Sequence, residues 1–125
     1  MKALRFSSFG DFTGHLHVEE VPAPVAGPDE VLVKVYAASL NPSDWKNVLG
    51  QYKKTVLPRT PGQDFAGVIV DGDRELIGQE IWATGGDVGF TRDGSHAEYV
   101  VIPKKAARPK PQNLSFSEAA CVGRT

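Results

Sequence analysis

Cysteine is nearly absent from this chain of 125 residues, which contains only Cys121. A single cysteine cannot form an internal disulfide, and the lack of a disulfide framework is typical of a reducing compartment. The first five residues also lack the long apolar core and the cleavage-like site of a signal peptide. We therefore expect a cytoplasmic protein, with Cys121 serving as a small apolar residue on a helix.

Long hydrophobic runs and an excess of one charge are also missing. No apolar run approaches the roughly 20 residues that a membrane-spanning helix needs. Fourteen basic residues stand against fifteen acidic ones, without a run of like charge. Neither nucleic acid nor a membrane is therefore expected as a partner. The short basic cluster is interpreted as a solvated edge, with a phosphate contact as the alternative: Lys104, Lys105, Arg108 and Lys110.

Short apolar runs separated by 13 glycines and 9 prolines dominate the rest of the chain. This pattern predicts a mainly β fold in one domain, long enough to bury about two thirds of its unfolded surface. The clearest strand is predicted at 31–38, where β-branched residues are dense. Further strands are predicted at 2–6, 16–21, 65–70, 81–83, 97–102 and 106–107.

Two helix starts are written in the sequence. Pro42 is suited to a first helical position, and the segment 43–49 ends at Gly50, which predicts one or two helical turns. Ser115 and Glu118 form an S-x-x-E capping box, which predicts a second helix beginning near residue 115. Since the chain stops at Thr125, soon after that signal, we expect it to be the front part of a longer protein.

Three familiar kinds of site are not supported. His15 and His17 would share one face of a strand, but no third cysteine or histidine lies near them to complete a metal site. The glycines of 85–89 lack the spacing of a dinucleotide fingerprint, so a flexible loop lining a cleft is predicted there. Ser95 and His96 are adjacent and would point to opposite faces of a strand, which argues against a catalytic pair.

Polar side chains at two strand ends form the candidate site. They offer amide, ammonium, phenol and carboxylate groups that could orient a carbonyl and stabilise an enolate oxygen. They are Asn41, Lys46, Tyr52, Gln63 and Asp64. A purely structural interpretation is available for several positions. Asn41 suits a turn before proline, Asp64 suits acceptance of backbone N–H groups, Tyr52 suits a half-buried anchor, and Trp45 suits the core.

Five segments, in this order, resemble the N-terminal GroES-like catalytic domain of the medium-chain dehydrogenase/reductase superfamily. The resemblance covers nearly the whole chain. The segments are the strand at 31–38 with the turn Asn41-Pro42-Ser43-Asp44, the stretch 61–70, the stretch 77–81, the stretch 94–99, and 114–120. This resemblance implies a partly open GroES-like β-barrel with short helices over residues 1–125.

Two departures from the superfamily pattern indicate which branch of the superfamily the chain resembles. The turn beginning at Asn41 lies where zinc-dependent alcohol dehydrogenases carry a cysteine ligand, and Gln63 replaces the histidine of their G-H-E segment. With Cys121 as the sole cysteine, the structural zinc lobe is absent as well. The chain is therefore similar to the zinc-independent quinone oxidoreductase and enoyl reductase branch, which implies that no zinc is bound.

That resemblance implies a reaction and a role for each site residue. The reaction is hydride transfer from NADPH to a quinone or an α,β-unsaturated carbonyl substrate. Asn41 matches an asparagine beside the nicotinamide, and Tyr52 matches a tyrosine that lines the cleft and is a candidate to hydrogen-bond the substrate oxygen. Lys46 stands where many quinone reductases have another tyrosine. The full expectation is catalytic roles for Tyr52, Asn41 and Lys46, cofactor contacts from Asn41, Pro42 and Asp44, and a substrate cleft lined by Trp45, Gln63 and Asp64.

The resemblance also implies a partner domain. Members of the superfamily continue into a Rossmann cofactor domain, which is absent from this chain. We therefore expect the isolated chain to be inactive and to self-associate through the surface that the Rossmann domain would cover. Two alternatives stay open: a binding module similar to a co-chaperonin, for which Val88 and Phe90 are the available loop anchors, and a fragment without chemistry.

Overall fold

A computed structural model describes residues 1–10 and 15–123 as a mainly β structure with short helices. The secondary structure within those residues is as predicted in class, and most strand positions are confirmed. The elements are β1 (Lys2–Phe6), β2 (Leu16–Glu20), β3 (Glu30–Ala38), α1 (Pro42–Val48), β4 (Phe65–Asp71), β5 (Glu80–Ala83), β6 (Tyr99–Pro103), a 3-10 turn (Lys104–Ala106), β7 (Arg108–Pro109) and α2 (Phe116–Ala119).

All pairs of neighbouring strands in the described residues are antiparallel. β1 pairs with β2, and a five-stranded sheet has the order β6-β3-β4-β5-β7. Both sheets are open, as expected for a partly open barrel. The strand predicted at 106–107 is wrong, because the chain first forms the 3-10 turn after Pro103. Pairing with β5 begins only at Arg108, opposite Trp82.

Alternation along the strands builds the core. Val31 and Val33 of β3 are fully buried and meet Phe65 and Ile69 of β4, while intervening residues such as Lys34 face outward. Each fully buried aliphatic or aromatic side chain of this kind contributes about 1.5–3 kcal/mol relative to an exposed one. The pattern read from the sequence therefore decides which face of β3 and β4 is internal.

β3 and β4 approach unusually closely at Gly67. A Cβ atom added to Gly67 would lie 2.0 Å from the carbonyl oxygen of Lys34, so no other residue fits without moving the backbone. A register irregularity in this pair lies between Val35 and Ala37. Glycines inside strands often mark such close approaches.

Two bridges tie β1 to the segments on either side of the candidate site. Ala3 pairs with Ala97, and Phe6 pairs with Arg59 through two backbone hydrogen bonds of 3.0 Å each. The carboxylate of Asp93 then holds Arg5 at 2.8 Å and Arg59 at 3.1 Å. These contacts fix the position at which the chain enters the stretch beginning at Pro61.

The segment between β5 and β6 contains no regular strand or helix, as predicted, and part of it packs against the protein. Val88 and Phe90 are 5% and 3% exposed. The side-chain amide of Asn47, on α1, donates to the carbonyl oxygen of Gly89 at 2.7 Å and accepts from the hydroxyl of Thr55. Among the described residues, no helix has the length and apolar character needed to cross a membrane.

Candidate active site

The first wall of the site is the start of α1. Pro42 occupies the first turn, where its missing N–H is not needed. Asn41 lies just before the helix in an extended conformation, with φ −112° and ψ 158°. Its backbone N–H donates to the buried carboxylate of Asp44 at 2.8 Å, which is the returning half of a capping box. Asp44 is thereby built into the helix start.

The second wall is the turn that leads into β4. Gly62 has φ +108°, a conformation that favours glycine, and a Cβ atom there would lie 2.5 Å from the hydroxyl oxygen of Ser95. The turn directs the next two residues inward, so that Gln63 is 3% exposed and Asp64 is fully buried. Only glycine is compatible with both requirements at position 62.

Side-chain hydrogen bonds join the two walls. The hydroxyl of Ser43 donates to the side-chain oxygen of Gln63 at 3.1 Å. The side-chain amide of Asn41 donates to one carboxyl oxygen of Asp64 and to the hydroxyl of Ser39 at 3.2 Å. The sequence prediction that the polar groups at the two strand ends lie together therefore agrees with the geometry for Asn41, Gln63 and Asp64.

Thr84 completes this cluster and was not predicted. Its hydroxyl donates to the other carboxyl oxygen of Asp64. The reason is the strand register, because Phe65 pairs with Ala83 and the next position along places Asp64 opposite Thr84. Asp64 is therefore held by side-chain donors from two different parts of the chain, where the sequence had suggested backbone N–H groups as an alternative.

Tyr52 and Lys46 lie on the outer side of the same region. Tyr52 is half-buried and packs edge-on against Phe90, with ring centroids 5.2 Å apart and planes 73° apart. Lys46 is exposed on α1, and Trp45 is 44% exposed, which excludes the interpretation of Trp45 as a core residue. Within residues 1–10 and 15–123, neither Tyr52 nor Lys46 is joined to the Asp64 cluster by a described hydrogen bond.

Trp45 lines a small niche next to the cluster. The niche has a volume of about 30 Å³, enough for one or two waters. Its walls are mostly apolar, with a carboxylate and an imidazole among them: Leu4, Leu16, Leu40, Asp44, Trp45, Val48, Pro61 and His96.

Ser95 and His96 do not form a pair, as predicted, although the reason differs. The two residues precede β6, so the strand alternation used in the argument does not apply. Nε2 of His96 lies 3.0 Å from the carbonyl oxygen of Ser39, and because a carbonyl only accepts, Nε2 carries the proton. The hydroxyl of Ser95 is buried and has no partner within the described part of the chain.

The residues present do not fit a zinc ion. The two positions that would supply a thiolate and an imidazole hold the neutral amides of Asn41 and Gln63, which are poor zinc ligands. Across residues 1–10 and 15–123, no group of three His, Cys, Asp or Glu side chains is arranged to hold a metal ion. Nδ1 of His15 lies instead 2.6 Å from the hydroxyl of Ser8, and Cys121 is exposed beyond α2.

Comparison with known proteins gives a consistent family. Residues 27–112 match the family described as the alcohol dehydrogenase GroES-like domain. A zinc-type alcohol dehydrogenase-like protein of Schizosaccharomyces pombe is 47% identical over 109 residues, covering 86% of this chain and 34% of that protein. The NADPH-dependent alkenal/one oxidoreductase of Arabidopsis thaliana is 36% identical over 96% of this chain and 33% of its own length.

A solved structure agrees in fold. The quinone oxidoreductase from Coxiella burnetii superposes with a TM-score of 0.84 and 32% identity, over 96% of this chain and 40% of that one. The chain thus spans about a third of the length of the curated relatives it matches. On the family match and this superposition, the chain belongs to the alcohol dehydrogenase GroES-like domain family of the medium-chain dehydrogenase/reductase superfamily.

Proposed function

We propose that this chain is the catalytic-domain portion of an NADPH-dependent oxidoreductase that reduces quinones or α,β-unsaturated carbonyls without zinc. The relatives support the reaction class, because their names include an alkenal/one oxidoreductase and a quinone oxidoreductase. In this proposal the active protein is cytoplasmic and joins this domain to a cofactor domain, and the isolated chain is inactive. The absence of zinc is part of the proposal, although the relative from Schizosaccharomyces pombe is named a zinc-type protein.

The observation that carries the proposal is the hydrogen-bonded cluster at the joined strand ends. The side-chain amide of Asn41 donates to Asp64 and Ser39, and the side-chain oxygen of Gln63 accepts from the hydroxyl of Ser43. None of these side chains is a histidine or a cysteine, the residues that bind zinc through nitrogen or sulfur. A built polar cluster of this kind is expected where a protein orients a ligand by hydrogen bonds rather than through a Lewis acid.

The cluster fits the nicotinamide end of NADPH in hydrogen-bonding chemistry. NADPH supplies the hydride when it is bound, and the protein supplies orientation and charge stabilisation. Asn41 is partly exposed, and it is rigidly held by its bonds to Asp64 and Ser39. Together with Pro42 and Asp44, which shape the first turn of α1, it is proposed to contact the nicotinamide portion.

Tyr52 is proposed to donate a hydrogen bond to the substrate oxygen. Its ring is held edge-on by Phe90, which is buried, so the hydroxyl is carried on a supported ring. A phenol that donates to an oxygen gaining negative charge stabilises the transition state more than the ground state. Lys46, exposed on α1, is the proposed second proton-donating group. Trp45 and Gln63 are proposed to border the substrate cleft, and Asp64, which is fully buried, supports the cleft through its hydrogen bond with Asn41.

Exposed apolar side chains beside the cluster support a covering partner. Leu40 and Leu49, which flank α1, are 74% and 37% exposed, and Trp45, on α1 itself, is 44% exposed. Apolar groups concentrated around a polar site mark binding surfaces more often than scattered ones do. We propose that a cofactor domain covers this surface, and that the chain self-associates when it is alone.

A co-chaperonin-like binding module is the alternative, and one observation disfavours it. Its mobile loop would need exposed apolar anchors, yet Val88 and Phe90 are buried. Phe90 is also engaged by the ring of Tyr52 and by the ammonium of Lys54, whose Nζ lies 4.1 Å from the ring centroid. These side chains are not available to a partner without unpacking the segment.

A domain chimera tests the proposal. Residues 1–123 would replace the corresponding N-terminal domain of the Coxiella quinone oxidoreductase, which superposes with a TM-score of 0.84. The purified chimera is expected to oxidise NADPH with a benzoquinone or a short alkenal, to contain no stoichiometric zinc by elemental analysis, and to keep its activity after dialysis against a chelator. A folded chimera without turnover, or turnover abolished by the chelator and restored by zinc, would contradict the proposal.

A further inference from the structure

The orientation of the Asn41 side chain is decided by its neighbours. A primary amide has a nitrogen that donates two protons and an oxygen that accepts. The hydrogen-bonding partners around it determine which end faces which neighbour. Here the nitrogen faces a carboxyl oxygen of Asp64 and, at 3.2 Å, the hydroxyl oxygen of Ser39. The reversed amide would place its oxygen against the Asp64 carboxyl oxygen, so the observed orientation satisfies both groups and the reverse does not.

All donors of Asn41 are therefore committed inside the protein. Two side-chain protons go to Asp64 and Ser39, and the backbone N–H goes to Asp44 at 2.8 Å. The side-chain oxygen is the only side-chain group with remaining capacity, since an amide oxygen has two lone pairs and accepts more than one hydrogen bond. Asn41 thus offers an acceptor, and not a donor, to any ligand.

Asp64, which accepts the Asn41 amide proton, is itself positioned by a second hydrogen-bond donor. It is fully buried, and its second oxygen accepts from Thr84, which the β4–β5 register places opposite it. The bond from the Thr84 hydroxyl helps to fix the rotation of the carboxyl group that directs its other oxygen to Asn41. Thr84 lies at the end of β5 and is only partly buried, so it acts on Asn41 through Asp64.

We propose that Asp64 and Thr84 are positioning residues that lock Asn41 as a hydrogen-bond acceptor, and this inference rests on the proposed function of the site. The ligand group that meets Asn41 must then carry an N–H or O–H, such as a primary carboxamide. A quinone or enone oxygen, which only accepts, does not fit there. This reverses the expectation that Asn41 stabilises an enolate oxygen and leaves that role to a donor such as Tyr52.

Nuclear magnetic resonance of the 125-residue chain tests the lock directly. The side-chain amide protons of Asn41 are compared with those of Asn113, which is exposed and serves as an internal reference. In the unmodified chain, the Asn41 protons are expected to exchange with solvent about tenfold more slowly than those of Asn113. Thr84→Val should raise the Asn41 exchange rate about fivefold, and Thr84→Ser should restore the slow rate. Asp64→Asn serves as the second perturbation, and the unfolding midpoint of each variant is recorded alongside.

Two probes test the acceptor role. Nicotinamide carries N–H donors, whereas N,N-dimethylnicotinamide keeps the ring and the carbonyl but has none. Nicotinamide is expected to shift the Asn41 side-chain resonances in the unmodified chain, and the dimethyl probe is expected not to. Equal shifts from both probes would overturn the acceptor assignment.

The outcomes separate this inference from the proposed function. Slow Asn41 exchange that depends on the Thr84 hydroxyl supports the lock even when neither probe binds, and the proposed cofactor role is decided separately by turnover of the chimera. Asn41 exchange as fast as that of Asn113, or unchanged by Thr84→Val in a folded variant, overturns the lock whatever the probes do.

Discussion

The side-chain amide of Asn47, on α1, donates to the carbonyl oxygen of Gly89 at 2.7 Å. This bond joins the helix that follows Asn41 to the segment that carries Phe90. The Asn47 oxygen also accepts from Thr55, so both ends of one buried amide connect separate parts of the chain. The support of Tyr52 by Phe90 depends on the same segment. One buried residue outside the cluster therefore joins α1, which forms the first wall of the site, to the segment that supports Tyr52.

Replacement of Asn47 by leucine, which keeps the branched shape of the side chain and removes its polar atoms, should be costly. The carbonyl of Gly89 and the hydroxyl of Thr55 would lose their partner, and a buried polar group without a partner costs about 1–3 kcal/mol. Chemical denaturation should show a loss of that order in the free energy of unfolding. Asn113→Leu, at an exposed position, is the matched control. Equal effects from the two substitutions would show that the amide contacts contribute nothing.

The turn at Gly62 predicts a difference between two glycine substitutions. Gly62→Ala meets both an unfavourable φ of +108° and the Ser95 hydroxyl 2.5 Å away. Gly85→Ala meets a φ of +74° but no heavy atom within 4 Å. We expect Gly85→Ala to cost about 1 kcal/mol from the backbone alone. Gly62→Ala should cost more, measured by thermal and chemical unfolding; a smaller or equal loss would argue against the close packing of the turn on Ser95.

Acid stability should depend on Glu30. The backbone N–H of Gly27 and then the guanidinium of Arg92 lower the pKa of this carboxyl group below its ordinary value of 4.5. A pKa lowered by folding adds stability above the unfolded value, and that stability disappears as the pH falls through the folded value. Glu30→Gln should therefore weaken the protein near neutral pH and flatten its loss of stability below about pH 4.5.

The measurement for Glu30 is a series of denaturation curves from neutral to acidic pH. Glu19→Gln, on the exposed face of β2, is the control for removal of one negative charge. Identical pH profiles for Glu30→Gln and the unmodified chain would contradict the assignment. The same sign applies to Asp73, whose pKa is lowered by the backbone N–H of Glu75 and by Lys104, so some acid sensitivity should remain in the variant.

The proposed role of Tyr52 predicts a loss of turnover without a loss of stability. In the chimera, Tyr52→Phe removes the hydroxyl and keeps the ring that packs on Phe90 at 5.2 Å. Turnover should fall by about 10²-fold, the usual scale for one oriented donor or acid. Tyr36→Phe is the control, since Tyr36 is 55% exposed and stacks on Phe116 on another face. Equal activity of the two variants would remove Tyr52 from the reaction.

Local patterns were enough to predict most of the strands and both helices. β-branched density marks β3, a proline marks the start of α1, and the Ser115–Glu118 capping box marks α2, where the Glu118 backbone N–H donates to the Ser115 hydroxyl at 3.1 Å. Each of these signals acts within a few residues. The sequence could therefore place Asn41 and Gln63 at strand ends before any long-range contact was known.

Contacts that depend on which strands pair could not be predicted in this way. Thr84 carries no local signal, and its bond to Asp64 follows only from the pairing of Phe65 with Ala83. The burial of Val88 and Phe90 depends in the same way on distant parts of the chain, because Val88 packs into the core formed by β3 and β4 and Phe90 contacts Tyr52. A glycine-rich segment looks exposed from its composition, and tertiary packing overrides that impression here.

The central claim is hydride transfer to a carbonyl-type substrate at the site formed by Asn41, Tyr52 and Asp64. The most direct measurement uses the chimera with NADPH in which both hydrogens of the hydride-donating carbon are deuterium, and an alkenal as the acceptor. The account predicts deuterium on carbon in the reduced product, a lowered turnover rate for the labelled cofactor, and no requirement for zinc. Reduced product without deuterium, or turnover only after zinc is added, would contradict it.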